Sequence, residues 1–582
     1  MNTKFLWRKA MWTSPLIFFI ILLLLSSFCV ADANKGQFPN RFVYIQTNLL
    51  VDQNIDRVLS IIAQAKHDGY NGIVIADSKF MRWDNLPSKY VDNAKKVRSA
   101  CKEMNISFIP CVFPIGYSDD LLSRDVNLAE GLPVINAPFI VKDGKIYPDD
   151  AINIANPSFE EYSDNMPKGW SFLDQPGKIG FIDSEIKYDG KVSLRMQDIG
   201  INDLIHGHGR IHQRLKVRPF TYYHVSVMVK TENFESVNDT RIAVLAPNGP
   251  SLNHLNLRID KTQDWKRVDI TFNSLMFSEV NFYLGVWGGK GGKIWWDDLR
   301  IEPAGIVNII RREGTPLVIT NEDGKTVYEE GKDFDGAVDP KLGMVPWAGG
   351  YEVWHDQPIM TVPSGSRIKD GQKLLVSYYH PALIYDNVVM CCMSEPKVYD
   401  ILKWQAKQVY ENLNPDGYFM SHDEIRCQGW DLSCTRRNLT PGQILADNVK
   451  RCVDIIKEID PNKPIYVWSD MFDPFHNAGK NGWYYLVKGE NPWYGSWEGL
   501  DKTVIIANWN SDKNKRIDSM KHFSNRGHKQ ILAGYYDSNP SNIVSWLKDA
   551  NSIDGIIGVM YTTWRSNYRD LGEFAKYGFQ SH

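Results

Sequence analysis

The feature that most constrains this chain is a β-α rhythm that starts, breaks off and starts again. Arg41–Asn48 (RFVYIQTN) is a β-rich apolar run, and the segment after it sets Ile55, Val58, Leu59, Ile62 and Ala65 at helical spacing. Gly72–Asp77 (GIVIAD) is a second strand. A helical stretch with Ala94, Val97, Cys101 and Met104 on one face then leads into Ser107–Phe113 (SFIPCVF). Strands that are apolar on both faces belong to a parallel sheet covered by helices. From Pro114 to Met393 helical periodicity is scarce, and Gly, Asn, Asp and Pro punctuate short alternating runs. All-β insertions are the natural reading of such a stretch.

The rhythm resumes with a helix near Pro396–Leu413 and a strand at Gly417–Glu424. A helix opens at Thr440-Pro441, an N-cap followed by proline at the first helical position, and Ile465–Met471 follows it. Further strands read at Thr503–Trp509, Gln530–Asp537 and Gly555–Trp564. Three strands before the break and five after it make eight, and the two pieces together hold roughly 270 residues, the size of one (β/α)8 barrel. The expected fold is therefore α/β, a TIM barrel interrupted after strand 3 by an all-β jelly-roll module and a small β-rich domain. The expected boundaries are 36–118 and 394–582 for the barrel pieces, 150–304 for the sandwich and 305–393 for the small domain.

Residues 1–33 carry Lys4, Arg8 and Lys9 before an apolar run, Pro15 to Val30, and end in Ala31-Asp32-Ala33. This pattern reads as a signal peptide, so the chain is expected to be secreted or periplasmic, with no stable membrane span after cleavage. Seven cysteines then remain, without CxxC spacing, which speaks against a zinc site. Cys427 with Cys434 is the first pair to test for a disulfide, with unpaired buried thiols an equal alternative. The 66 basic and 69 acidic side chains nearly cancel, to a net charge of −3, which argues against nucleic acid as a partner. The 19 Trp, 27 Tyr and 25 Phe supply either β-rich cores or flat platforms of the kind sugar rings bind.

Active sites of barrels sit at the C-terminal strand ends. Here these are Thr47-Asn48, Asp77, Phe113, His422-Asp423-Glu424, Trp468-Ser469-Asp470, Asn508-Trp509, Tyr535-Tyr536-Asp537 and Tyr561 to Trp564. A carboxyl packed among Trp and Tyr has its pKa raised, which suits a general acid for a leaving glycosidic oxygen. The bland alternative is that the Asp-Glu pair caps a loop or salt-bridges Arg426. SHDEI at strand four, WSD at strand five, YYD at strand seven and a Trp ending strand eight resemble family-20 glycoside hydrolases, the β-N-acetylhexosaminidases and their relatives. That resemblance implies a retaining, substrate-assisted mechanism in which the substrate's 2-acetamido oxygen closes on the anomeric carbon. It makes Glu424 the acid/base, Asp423 the orienter of the acetamido group and Tyr535 a donor to its carbonyl. It also implies a sugar pocket formed by His422, Trp468, Asp470, Trp509, Asp537 and Trp564, with no cofactor for catalysis.

Two departures stand out. Ser421-His422 replaces the family's glycine pair, and strand one ends in Thr47-Asn48 without the family's sugar-clamping Arg. A two-carboxylate glycosidase using Glu424 with Asp470 or Asp537 stays open, as does a non-catalytic glycan-binding protein. Between Asn156 and Pro303, NPSFE at the start and Trp295-Trp296-Asp297-Asp298-Leu299 at the end resemble family 4 and 9 carbohydrate-binding modules. Through that likeness Glu160 and Asp298 are the expected ligands of a structural calcium, and an oligo- or polysaccharide is the expected partner.

Overall fold

The computed structural model describes residues 38–579, so the expected signal segment lies outside the described residues. Eight parallel strands close a barrel: β1 (Asn40–Gln46), β2 (Gly72–Ala76), β3 (Ser107–Val112), β4 (Tyr418–Met420), β5 (Ile465–Trp468), β6 (Ile505–Asn508), β7 (Gln530–Tyr535) and β8 (Ile556–Thr562). β3 pairs directly with β4, Cys111 beside Phe419 and Val112 beside Met420, although about 300 residues separate them in the chain. β8 closes on β1 through Phe42 and Met560.

The strands alternate as a doubly covered sheet requires. Phe42, Tyr44, Val74, Ile109, Cys111, Phe419, Tyr466, Trp468, Ala507, Ile531, Ala533 and Met560 fill the barrel interior. Val43, Ile45, Ile73 and Ile75 point outward into the core shared with the helices. Aromatic rings pack against one another inside the barrel, where Phe42 meets Tyr466 at 5.7 Å and Phe419 meets Trp468 at 4.9 Å, both edge-on.

The surrounding helices are α1 (Asp52–His67), α2 (Ser88–Glu103), α3 (Pro396–Leu413), α4 (Pro441–Ile459), α5 (Arg516–Asn525), α6 (Ile543–Ala550) and α7 (Leu571–Gly578). The start signal at Thr440 is a full capping box: the Thr440 hydroxyl accepts from Gln443 N, and Gln443 Oε1 accepts from Thr440 N. Between β5 and β6 the chain forms turns and a short 3-10 segment, Ser496–Gly499, in place of an α-helix. Gly499 lies so close to α4 that a Cβ there would stand 1.9 Å from the Ala446 carbonyl oxygen.

The β region differs in its nesting from two modules in series. Gly131–Lys142 runs antiparallel to Lys373–Pro381 within one six-stranded sheet. The small domain is therefore built from chain on both sides of the sandwich, and its first strand lies before the expected boundary at 305. Only long-range ladder pairing decides this, because Gly131–Lys142 (GLPVINAPFIVK) has strand-like composition wherever it docks. The sandwich consists of a five-stranded sheet, including Tyr222–Glu232 and Lys293–Pro303, and a four-stranded sheet, including His208–Lys216 and Glu279–Trp287. Their apolar faces share one core through Val225, Val227, Val229, Phe282, Leu284 and Trp296.

The seven cysteines of the described residues are buried and unbridged. The sulfur that approaches Cys434 is that of Cys392, at 3.5 Å, and not that of Cys427, the partner expected from proximity in sequence. No helix among the described residues is long and apolar enough to cross a membrane.

Candidate active site

A cavity of about 690 Å³ opens at the C-terminal mouth of the barrel. That size suits one or two sugar rings. Tyr44, Trp468, Trp509, Tyr536 and Trp564 wall it, and Gln46, Thr47, Asp77, Tyr117, Asp423 and Glu424 supply its polar groups. Tyr44 meets both Trp468 and Trp564 at 5.4 Å, and Trp509 stacks on Tyr536 at 6.0 Å.

Strand alternation alone would send Asp423 and Glu424 to opposite faces, but Glu424 adopts a left-handed backbone, φ 49°, and both side chains line the cavity. Such a conformation in a non-glycine residue costs free energy and persists only where the surroundings impose it. Here Asp470, at the end of β5, imposes it: its Oδ2 accepts from Glu424 N at 3.0 Å and from Asn477 Nδ2 at 2.8 Å. Its Oδ1 accepts from Trp509 Nε1 at 3.1 Å. On the other side the loop after β3 presses against the pair, and a Cβ on Gly116 would lie 1.7 Å from the Asp423 carbonyl oxygen. Only glycine permits that approach.

The same loop brings Tyr117 to Glu424. The Tyr117 hydroxyl donates to Glu424 Oε2 at 2.5 Å, and Arg426 Nη2 pairs with the same oxygen at 2.5 Å. Arg426 is buried among the rings of Tyr117, Tyr385 and Tyr485, with its guanidinium carbon 5.2, 4.9 and 5.4 Å from their centroids. The salt bridge weighed from the sequence thus exists, and it sits inside the site.

Asp423 is partly buried at the cavity wall, and desolvation, followed by the charges of Asp470 and Glu424, pushes its carboxyl up to about 8. Burial also raises Asp470, which the donors from Glu424 N, Trp509 and Asn477 hold back. Both shifts favour a protonated carboxyl in the cluster, beside Glu424, which Arg426 pairs.

The structure brings Asp423, Glu424, Trp468, Trp509 and Trp564 to the cavity and sets other expected residues behind or beside it. His422 points outward: its Nε2 bonds Asn448 Oδ1 of α4 at 3.0 Å, and burial lowers its pKa to about 4, so it is neutral. Strand alternation explains this, since Ser421 and Asp423 face the cavity and the residue between them cannot. Asp470 has both oxygens committed to Glu424 N, Asn477 and Trp509 and acts on the site through them. Asp537 accepts from Thr563 Oγ1, Trp564 N and Arg565 N, which makes it the anchor of the loop after β8.

Tyr535 is the clearest correction. Its hydroxyl donates to Asp570 Oδ2 at 2.6 Å and accepts from Asn567 Nδ2 at 2.6 Å, and its ring stacks on Tyr561 at 4.1 Å. The cavity is faced by Tyr536, whose buried hydroxyl has no partner in the protein. Tyr535, Tyr536 and Asp537 all have positive φ, so the alternation used to place them from the sequence ends at Gly534. Tyr117, Arg426, Tyr44 and Tyr536 were missed as site residues. The adjacent tyrosines of YYD were the one available signal for Tyr536; nothing local marks Tyr117, which lies across the barrel's interruption.

Glu160 and Asp298 in the sandwich do not fit a calcium shell. Glu160 Oε1 accepts from Lys191 N at 2.7 Å and Val192 N at 3.2 Å. Both oxygens of Asp298 are held by Arg300, at 3.0 and 2.9 Å. Backbone amides engage Glu160 Oε1 and a guanidinium engages both oxygens of Asp298, so a calcium would have to share or displace these partners.

No family model matches the sequence, and no curated protein matches it significantly. Solved structures similar to this chain include a family 20 β-N-acetylglucosaminidase, at 8% identity over 94% of this chain and 70% of that one, with a TM-score of 0.33. A rhamnosidase from Novosphingobium sp. PP1Y matches at 10% identity over 90% of this chain and 55% of that one, TM-score 0.28. The TmCBM61 module in complex with β-1,4-galactotriose matches at 16% identity over 26% of this chain and 99% of that one, TM-score 0.20. Likenesses this low carry no functional conclusion, which has to come from the geometry above.

Proposed function

We propose that this chain is an exported glycoside hydrolase acting on glycans that carry a 2-acetamido sugar, by a retaining, substrate-assisted route. The observation that carries the reading is the pair of adjacent carboxyls lining an aromatic-walled pocket at the barrel mouth, Asp423 with its pKa raised by desolvation and by its carboxylate neighbours, Glu424 ionically paired with Arg426. A sugar stacked on Trp468, Trp509 or Trp564 presents its hydrophilic edge to that pair.

In the empty site the proton resides on Asp423, because an anion there is desolvated and faces two other carboxyls. When the acetamido N–H and the positive charge developing on the ring reach Asp423, its anion gains partners and its proton passes to Glu424. Glu424 then protonates the leaving glycosidic oxygen as the acetamido oxygen attacks the anomeric carbon, and later takes a proton from the water that opens the oxazolinium. Tyr536, which lines the cavity and whose buried hydroxyl has no protein partner, takes the role of donor to the acetamido carbonyl. A pair of opposed carboxylates is disfavoured because Asp470 and Asp537 each spend both oxygens on the protein.

The test is hydrolysis of a panel of aryl 2-acetamido-2-deoxy-glycosides and amino-sugar polysaccharides. Glu424→Gln is expected to abolish turnover, and an N-acetyl-thiazoline mimic to inhibit competitively. Full activity of Glu424→Gln removes the acid assignment, and indifference to the thiazoline removes substrate assistance. Tight glycan binding without cleavage leaves a binding protein.

A further inference from the structure

A second buried cluster lies where the β insertion leaves and rejoins the barrel. Glu130 stands at the insertion's entry, Cys392 at its exit, and Asp431 and Cys434 in the loop that follows β4. One ligand atom from each of the four lies within 4.8 Å of all the others, and all four residues are buried. Cys392 Sγ is 3.5 Å from Cys434 Sγ, and Cys434 Sγ is 3.4 Å from Glu130 Oε2. Tetrahedral zinc, with sulfur at about 2.3 Å and oxygen at about 2.0 Å, separates two sulfur ligands by about 3.8 Å and a sulfur from an oxygen by about 3.5 Å. Two of the six edges, Cys392–Cys434 and Cys434–Glu130, are thus close to those of a zinc tetrahedron, and the other four lie within 4.8 Å.

The groups around the cluster are mostly donors. Gln428 Nε2 lies 2.8 Å from Cys434 Sγ and 3.2 Å from Glu130 Oε2, while Trp430 N donates to Glu130 Oε1 at 2.7 Å. Asp431 Oδ1 accepts from Cys434 N at 2.9 Å, and Arg312 pairs with Oδ2 of Asp431 and, at 2.7 Å, with Glu395. Donors of this kind orient metal ligands from behind and offset their charge. The fully buried Gln428 has its other amide atom, Oε1, without a partner, an uncompensated polar group at the edge of the cluster.

We propose that Glu130, Cys392, Asp431 and Cys434 bind a zinc ion that ties both ends of the insertion to the loop carrying Glu424 and Arg426. Two thiolates favour a thiophilic divalent ion over calcium or magnesium, and four buried protein ligands make the site structural. On binding, the two thiol protons and any proton on Glu130 pass to solvent, leaving the ion with two thiolates and two carboxylates beside Arg312. The linear spacing of the cysteines carries no zinc signature because the ligands come from three segments that only the closed barrel assembles. The short strand Cys427–Gln428 pairs with Leu486–Val487, so the ion braces the chain two residues beyond Arg426.

The full chain, purified under reducing conditions without chelator, is expected to hold about one equivalent of zinc by elemental mass spectrometry. Exchange for Co²⁺ is expected to give an intense thiolate-to-cobalt charge-transfer band with tetrahedral d–d absorption. Cys392→Ser and Cys434→Ser are expected to lose the metal and the band, and Cys101→Ser, on α2, to keep both. Should a serine variant fail to fold, alkylation of the folded wild type decides: bound zinc is expected to shield Cys392 and Cys434 until a chelator is added. A wild-type chain that takes up neither Zn²⁺ nor Co²⁺ overturns the proposal. So does a Cys392–Cys434 disulfide in unreduced peptides, or a folded Cys392→Ser variant with its metal intact. None of these outcomes depends on glycosidase activity.

Discussion

Asp423 is the residue whose environment and proposed role pull hardest against each other. Its carboxyl is desolvated and faces Asp470 and Glu424, so the folded state holds its proton more tightly than the unfolded chain does. Stability from this group is fully present below the unfolded pKa, near 4, and is lost as the pH rises through about 8. Asp423→Asn keeps the shape and removes the charge. It is expected to abolish hydrolysis while raising the melting temperature at pH 8 by about 2–4 °C, with no gain at pH 4, by calorimetry at both values. A loss of stability at pH 8 would mean that Asp423 is ionised and paired in the fold. The two tyrosines at the end of β7 separate by the same logic of partners. Tyr536→Phe is expected to lower kcat by about 10²-fold with the fold intact, since its free hydroxyl is the donor aimed at substrate. Tyr535→Phe is expected to cost about 1 kcal/mol of stability, from the lost bonds to Asp570 and Asn567, and to leave kcat within about threefold. If the two phenotypes are exchanged, Tyr535 is the donor after all.

At the scale of elements, the site depends on one loop passing another at backbone contact. Gly116→Ala forces the loop after β3 away from Asp423, and Tyr117 moves with it. Since a displacement of about 1 Å at a reacting group costs about 10²-fold in rate, kcat is expected to fall by that order while circular dichroism stays unchanged. Unchanged kinetics would show that the loop plays no part in placing Glu424. The contrasting variant is Thr440→Ala, which removes the capping box of α4 at a residue that does not line the pocket. It is expected to cost about 1 kcal/mol in denaturant unfolding with kcat unaltered. In the sandwich, added Ca²⁺ is expected to leave the melting temperature unchanged, because Glu160 and Asp298 already have protein partners; a concentration-dependent rise would restore the calcium expectation. The capping box and the buried face of α4 were legible beforehand, since i, i+3 and i, i+4 relations are local. The turn at Ser496–Gly499 was not, because its path follows contact with α4 and not any period in its own residues.

Across the whole molecule, a barrel has been opened at its third loop, a small β domain placed in the opening and a sandwich placed in that domain. Eight strands and their order were readable from the sequence because burial on both faces leaves continuous apolar runs, and because 3.6-residue spacing marks the covering helices. The Asp423-Glu424 pair and the strand-end tryptophans were readable because strand ends in this fold point at the cavity. What tertiary structure alone decided is whatever depends on segments distant in sequence. Gly131–Lys142 could not be assigned to the small domain until Lys373–Pro381 paired with it. Tyr117 could not be assigned to Glu424 until β3 met β4 across the insertion. Arg426 changes from a local ion pair into part of the site only when Tyr117, Tyr385 and Tyr485 enclose it. Cys392 and Cys434 have no shared motif, yet they lie side by side because the insertion's exit packs on the loop after β4. Sequence determines periodicity and chemistry one segment at a time; protonation state, orientation and ligand sets follow from burial and from neighbours that only the folded chain supplies.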